Sequence, residues 1–158
     1  MIRSFLVALS LFGVTAASPA TEISPEDAAA IRAVINEQLE AFAHDDARRA
    51  FSLATSGIRA QFGTPEIFLE MVRSSYPVVY RPKSVQFEKP VFAHGEIIQP
   101  VRMSDAAGQA WMALYPMRRE ADNAWRINGC YLERLSGRQV QTQIHPLHIR
   151  GSTTLLII

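Results

Sequence analysis

A single cysteine, Cys130, stands in a chain of 158 residues. No internal disulfide is possible, so stability must come from the core. An excess of charge of one sign is missing too: 16 basic side chains face 15 acidic ones. Nucleic-acid binding normally shows a basic stripe, and none is visible, which argues against that class of partner. There is no glycine-rich phosphate loop and no cluster of cysteine and histidine ligands. His145 and His148, around Pro146, do not by themselves make a metal site. Neither a metal nor a cofactor is therefore expected. Long apolar runs are lacking as well. The run Phe5–Val14 has ten residues, well below the roughly 20 that span a bilayer.

What that run does fit is a secretory leader. Arg3 supplies the charged start, and Thr15, Ala16, Ala17, Ser18 and Ala20 follow as small residues. That three-part layout is a signal peptide over residues 1–20, with cleavage after Ala16 or Ala20. The expected location is the periplasm or outside the cell, with no membrane insertion after cleavage. Loss of Arg3 leaves 15 basic and 15 acidic side chains, a neutral mature protein. Its length suits one domain.

The helical half comes first. Ser24-Pro25-Glu26-Asp27 is a helix start, with a capping serine, a first-turn proline and acids at the positive end. Ile31, Ile35, Leu39 and Phe42 recur at helical spacing, flanked by Val34 and Gln38, so the helix runs to about His44. Asp45-Asp46 caps a short second helix through Phe51 and Leu53. Gly57–Gly63 reads as a connection, and Thr64-Pro65-Glu66 opens a third helix that ends at Tyr76-Pro77.

Four strands follow: Ser84–Ala93, Glu96–Asp105, Gln109–Ala121 and Ala124–Leu135. Their turns, His94-Gly95, Ala106-Ala107-Gly108 and Asp122-Asn123, are short and tolerate positive φ, so consecutive strands should pair antiparallel. Pro90, Pro100 and Pro116 fall inside strands, where proline marks an edge or a bulge. Three of them predict a strongly curved sheet with the helices in its concave side. The fold class is thus α+β, one domain over residues 21–135. Residues 136–158 lack periodicity and read as a disordered tail.

The turns set a register that pairs Phe92 with Ile97, Met103 with Trp111 and Met117 with Asn128. One face then carries Phe92, Ile97, Met103, Trp111, Ala113, Met117 and Leu132, with a polar row of Gln99, Tyr115 and Cys130, and Asn128 beside it. Glu88 joins them if Pro90 adds no bulge; a slip of one residue turns it outward. The other face carries Val91, Ile98, Leu114, Ile127 and Tyr131. Helices can cover one apolar face, so the second predicts a homodimer.

The segment QLEAFAHDDARRAFSLATSGIRAQFGTPEIFLEMV, Gln38 to Val72, resembles the opening of the cone-shaped nuclear transport factor two-like superfamily. More narrowly, IRAQFGTPEIFLEMV, YPVVYRP, WMALYPM and WRINGCYL make the chain similar to a bacterial family, domain of unknown function 4864, over roughly residues 24–134. The resemblance implies a fold and not an activity, since one fold hosts many chemistries.

The polar row has two readings. A buried tyrosine satisfied by Gln99, beside a small core cysteine, is a structural one. The other is a pocket in which Gln99, Tyr115, Asn128, Cys130 and Glu88 meet an apolar or amphipathic small molecule between Phe92, Ile97, Trp111 and Met117. Non-catalytic binding is the expectation. The alternatives are an isomerase or dehydratase using Tyr115 and Glu88, and a protein–protein interaction module. No residue is assigned a catalytic role, because Cys130 has no histidine base within reach.

Overall fold

The computed structural model of the protein describes residues 23–136. The expected leader, residues 1–20, and residues 137–158 of the expected tail lie outside the described residues.

Five helices precede the strands: α1 Pro25–Ala43, α2 Ala47–Ser52, α3 Ser56–Phe62, α4 Pro65–Ser75 and α5 Pro77–Tyr80. Ser24 Oγ caps α1 by accepting from Asp27 N at 3.0 Å, and Asp46 caps α2 through Arg49 N at 3.0 Å. The connection expected over 57–63 is instead α3. Thr55 caps it by accepting from Ile58 N, which outweighs the helix-weakening Gly57. Gly63, at φ 74°, closes it. Pro77 likewise opens α5 rather than only ending α4, because a first-turn proline has no amide to lose.

The sheet is antiparallel, and the four expected strands are present as six. The central pair, β3 Glu96–Ser104 and β4 Ala110–Arg119, runs in one unbroken register from Ile97↔Met117 to Ser104↔Ala110. Each outer strand is broken in two. β1 Ser84–Phe87 and β2 Val91–Ala93 both pair β3; β5 Trp125–Ile127 and β6 Tyr131–Arg134 both pair β4. His94, Gly95, Gly108 and Asn123 have the positive φ expected of their turns.

The prolines explain where the breaks fall. Pro100 O accepts from Glu88 N at 3.1 Å, and Pro116 O accepts from Asn128 N at 2.8 Å. In an antiparallel ladder a residue's N and O point to the same neighbour, so each proline turns its missing N–H toward an outer strand. Those strands are interrupted there, at 88–90 and at 128–130. Pro100 and Pro116 therefore sit in regular strands, contrary to the expected bulges, and the irregularity lies across the ladder from them. Pro90 lies in a break itself.

Each break shifts the register by one residue. Phe87 opposes Val101, whereas Phe92 opposes Ile97. Ala113 opposes Leu132 as expected, but Met117 opposes Ile127 rather than Asn128. Ile127, expected on the outer face, is consequently turned into the core and is buried. That core lies between Ile31, Ile35, Phe42, Phe68 and Val72 of the helices and Val101, Met103, Ala113, Tyr115 and Met117 of the sheet. The turn 53–55 closes it from the side: Ile127 N donates to Leu53 O, and Thr55 N donates to Ile127 O, both at 2.9 Å. Among the described residues no helix is long and apolar enough to cross a membrane.

Candidate functional site

Gln99 and Tyr115 are direct cross-strand partners on the inner face, and both are buried. Cys130 is the last residue of the break in the outer strand and lies beside Tyr115, also buried. These three are brought together as the alternation predicts. Their hydrogen bonding is not as expected. Gln99 Nε2 donates to Glu88 O and to Pro100 O, both at 2.8 Å. The side-chain amide thus serves the Glu88 carbonyl, which Pro100 opposite it has no N–H to meet, and shares Pro100 O with Glu88 N; it does not satisfy the tyrosine. Gln99 Oε1 and Tyr115 Oη are buried without hydrogen-bond partners. Cys130 Sγ lies beside Tyr115 Oη as a soft, weak contact that raises the hydroxyl further; no nitrogen or oxygen serves that hydroxyl.

Asn128 and Glu88 do not join that row. Asn128 sits in the break after β5, where its Oδ1 accepts from Thr55 Oγ1 and its Nδ2 donates to Glu96 Oε1, each at 3.0 Å. Glu88 follows the register shift outward, and its carboxylate pairs with Arg102 at 3.4 Å on the outer face. Only its backbone carbonyl reaches Gln99.

Behind Tyr115 lies a cavity of about 20 Å³ lined by Gln38, Phe42, Ala54, Ile58, Phe68, Val72, Val79, Tyr115, Ile127, Gly129 and Cys130. None of Phe92, Ile97, Trp111 and Met117 lines it, although all four were expected to. Phe92 is 52 % exposed, beyond the reach of the helices. Trp111 turns its Nε1–H to Asp105 Oδ2 at 3.0 Å. Gln38 is the lining residue that the polar row missed. Its signal was a glutamine within the apolar stripe of α1; it is 3 % exposed and donates from Nε2 to Ala50 O at 3.0 Å. Two larger hollows, about 440 and 470 Å³, are surface grooves most of whose charged residues are already paired, Glu120 with Arg59 and Arg119 with Asp27 among them.

The electrostatics of these side chains follow from burial. Burial raises Tyr115 well above its ordinary value, and the neighbouring thiol adds to this. Burial pushes Cys130 up to about 12 against a smaller opposing effect of Tyr115. Burial also lifts Tyr76 to about 12, with Cys130 and Tyr131 beside it. All three stay protonated at neutral pH. The arrangement can donate a hydrogen bond and exclude water. It offers no carboxylate or imidazole on the cavity wall to accept a proton.

No curated protein and no solved structure matches the chain. Residues 24–140 match the model of one protein family, described as a domain of unknown function (DUF4864). That match spans well over half of the sequence and includes the first residues read above as tail, so the chain belongs to the DUF4864 family.

Proposed function

We propose that this chain is an exported, non-catalytic binding protein of the nuclear transport factor two-like cone architecture, which takes a small apolar or amphipathic molecule into the cavity behind Tyr115. The observation that carries the reading is that Tyr115, a buried residue lining a mostly apolar cavity, has a hydroxyl that no nitrogen or oxygen satisfies. A buried polar group left unsatisfied costs about 1–3 kcal/mol. A guest with one oxygen acceptor recovers that cost while its apolar part meets Phe42, Ile58 and Phe68. A wall that is mostly apolar with a few fixed polar groups is the usual make-up of a ligand site.

Size limits the guest. About 20 Å³ admits one water-sized group, against roughly 300–1,000 Å³ for sites of drug-sized ligands. Anything larger has to move a wall, and the reading assigns that movement to the short helix α3. It has seven residues, and Ile58 is its one buried side chain. Binding is then weakened by the cost of opening. Catalysis through Tyr115 and Glu88 is the poorer reading, because the carboxylate faces Arg102 on the other side of the sheet.

Phenol and benzene serve as probes, read by the rise in melting temperature of the wild type and of Tyr115→Phe. The wild type should bind phenol more tightly than benzene, and the variant should lose that preference, a change of up to roughly tenfold for one neutral hydrogen bond. Absence of binding by the wild type, or a variant that keeps the preference, would contradict the proposal.

A further inference from the structure

We propose that the first turn of α3 is the gate of the cavity behind Tyr115, that the surface groove outside it is the entrance, and that Glu120 is the latch that holds the gate shut. The wall between the two spaces is a single stretch of chain. Ala54 and Ile58 line the cavity, while Thr55, Ser56 and Gly57, together with Glu120, line the groove of about 440 Å³. Ile58 is buried, whereas Ser56 and Gly57 are exposed. Outward movement of this turn withdraws Ile58 and joins groove to cavity.

What ties the turn to the sheet is a carboxylate on a fixed post. Glu120 stands just after β4, where its N–H donates to Ala124 O at 3.0 Å and its carbonyl accepts from Asn123 N at 2.8 Å. From there its Oε1 accepts from Ser56 N at 2.7 Å, and its Oε2 pairs with Arg59 at 3.8 Å. One side chain thus holds both ends of a single helical turn. Hydrogen bonds from Ser56 do most to keep the Glu120 carboxyl below its ordinary pKa, with the charges of Arg59 and Arg126 adding to them. The latch is therefore ionised at neutral pH, the form that accepts most strongly.

Both flanks of the turn are anchored, so the movement is confined to it. Thr55 donates from N to Ile127 O at 2.9 Å and from Oγ1 to Asn128 Oδ1 at 3.0 Å. At the far end of α3, Phe62 rests edge-on against Phe68 with ring centres 5.5 Å apart. Between these anchors Ile58 is the one buried side chain of the helix, and Gly57 lowers the cost of unwinding. Segments with few buried contacts open at much lower cost than the whole fold.

Cys130 lies on the cavity wall and is the single cysteine of the chain, so its reaction with methyl methanethiosulfonate, a small thiol reagent, reports opening without any guest. Labelling of the folded protein at pH 8 is followed by mass. Glu120→Ala should speed it at least about tenfold, the loss of a hydrogen bond to a charged group. Glu120→Gln keeps an oxygen for Ser56 N, and should stay within about threefold of the wild type because the part-exposed pairing with Arg59 is worth little. Gly57→Ala, whose methyl meets its nearest neighbour, Thr55 Oγ1, at 4.0 Å, should slow labelling about two- to fivefold. Opening of one turn exposes little surface, so all these rates should barely change in dilute urea. Rates that climb steeply with urea would mean that the thiol is reached by unfolding, and overturn the gate. So would a Glu120→Ala that labels no faster than the wild type, a Glu120→Gln as fast as Glu120→Ala, or a Gly57→Ala no slower than the wild type. The gate rests on the reading of the cavity as a ligand site, but the two fail separately: phenol that binds while Glu120→Ala leaves labelling unchanged overturns the gate alone.

Discussion

Cys130 and Tyr115 illustrate how burial alone decides the chemistry of a side chain. Both hold their protons more tightly in the fold than in water, chiefly because burial disfavours their anions. For such acids the stabilisation is complete below the unfolded values, about 8.5 for cysteine and 10 for tyrosine. It is lost as pH rises toward the folded value, about 12 for Cys130. The unfolding free energy in urea should therefore fall steadily above about pH 8.5, and Cys130→Ala should remove the first part of that fall. A wild type with a flat profile up to pH 11 would contradict this. Reactivity follows the same cause. Thiolate is the nucleophile, so iodoacetamide at pH 8 should leave the native protein unmodified and label Cys130 fully in urea. The presence of this thiol in the inner-face row is legible from strand alternation. The orphaned hydroxyl beside it is not, because that depends on Gln99 turning to the carbonyls of Glu88 and Pro100.

At the scale of elements, the breaks in the outer strands organise the site. Pro116 lacks the donor that a continuous neighbour would need, the chain opposite interrupts itself at Asn128–Cys130, and Gly129 and Cys130 of that break line the cavity. Gly129 stands at φ 147°, a conformation that side-chain-bearing residues rarely adopt. Gly129→Ala should cost about 1–3 kcal/mol in urea unfolding; a change within about 0.5 kcal/mol would show that the break relaxes freely. A second irregularity, Asp45 at φ 57°, joins the α1–α2 turn to α4 and α5. Its carboxylate accepts from Arg73 at 2.9 Å, from Arg81 at 3.3 Å and from Tyr80 Oη. Hydrogen bonds from Tyr80 and Arg73 hold its pKa below the ordinary value. A depressed pKa means stability present above the unfolded value near 3.9 and lost on further acidification. Asp45→Asn should therefore lower the melting temperature at pH 7 and lose less of it below pH 4 than the wild type does. These elements were readable in different degrees. Helix starts at Ser24, Asp46 and Thr64 and the three turns follow from local cap and turn chemistry. The splitting of both outer strands depends on which way each proline faces, and that is settled only once strands are paired. Hence Ile127 and Glu88 each sit on the face opposite to, or left open by, a continuous register.

For the whole molecule, the sequence reading recovers the α+β class, the helices-then-sheet order and the antiparallel central pair, because each depends on patterns within a few residues. The extra helix α3 was hidden by Gly57, and the size of the cavity depends on how Phe42, Ile58 and Phe68 fill the space under the sheet. The proposed export is open to a direct test: expressed with residues 1–20 in a Gram-negative host, the protein should be recovered from the periplasm starting at Ala17 or Thr21, and full-length cytoplasmic protein as the sole product would contradict that. The central claim, a guest in the cavity behind Tyr115, is tested most directly by amide chemical-shift titration with phenol on the wild type and on Ile58→Ala. That variant removes the buried side chain of the movable wall, at about 2–5 kcal/mol of stability, and leaves Tyr115 in place. The account predicts saturable shifts concentrated at Ala54, Ile58, Tyr115, Gly129 and Cys130, with tighter binding in Ile58→Ala. Shifts scattered over the surface, or an affinity that Ile58→Ala leaves unchanged, would contradict it.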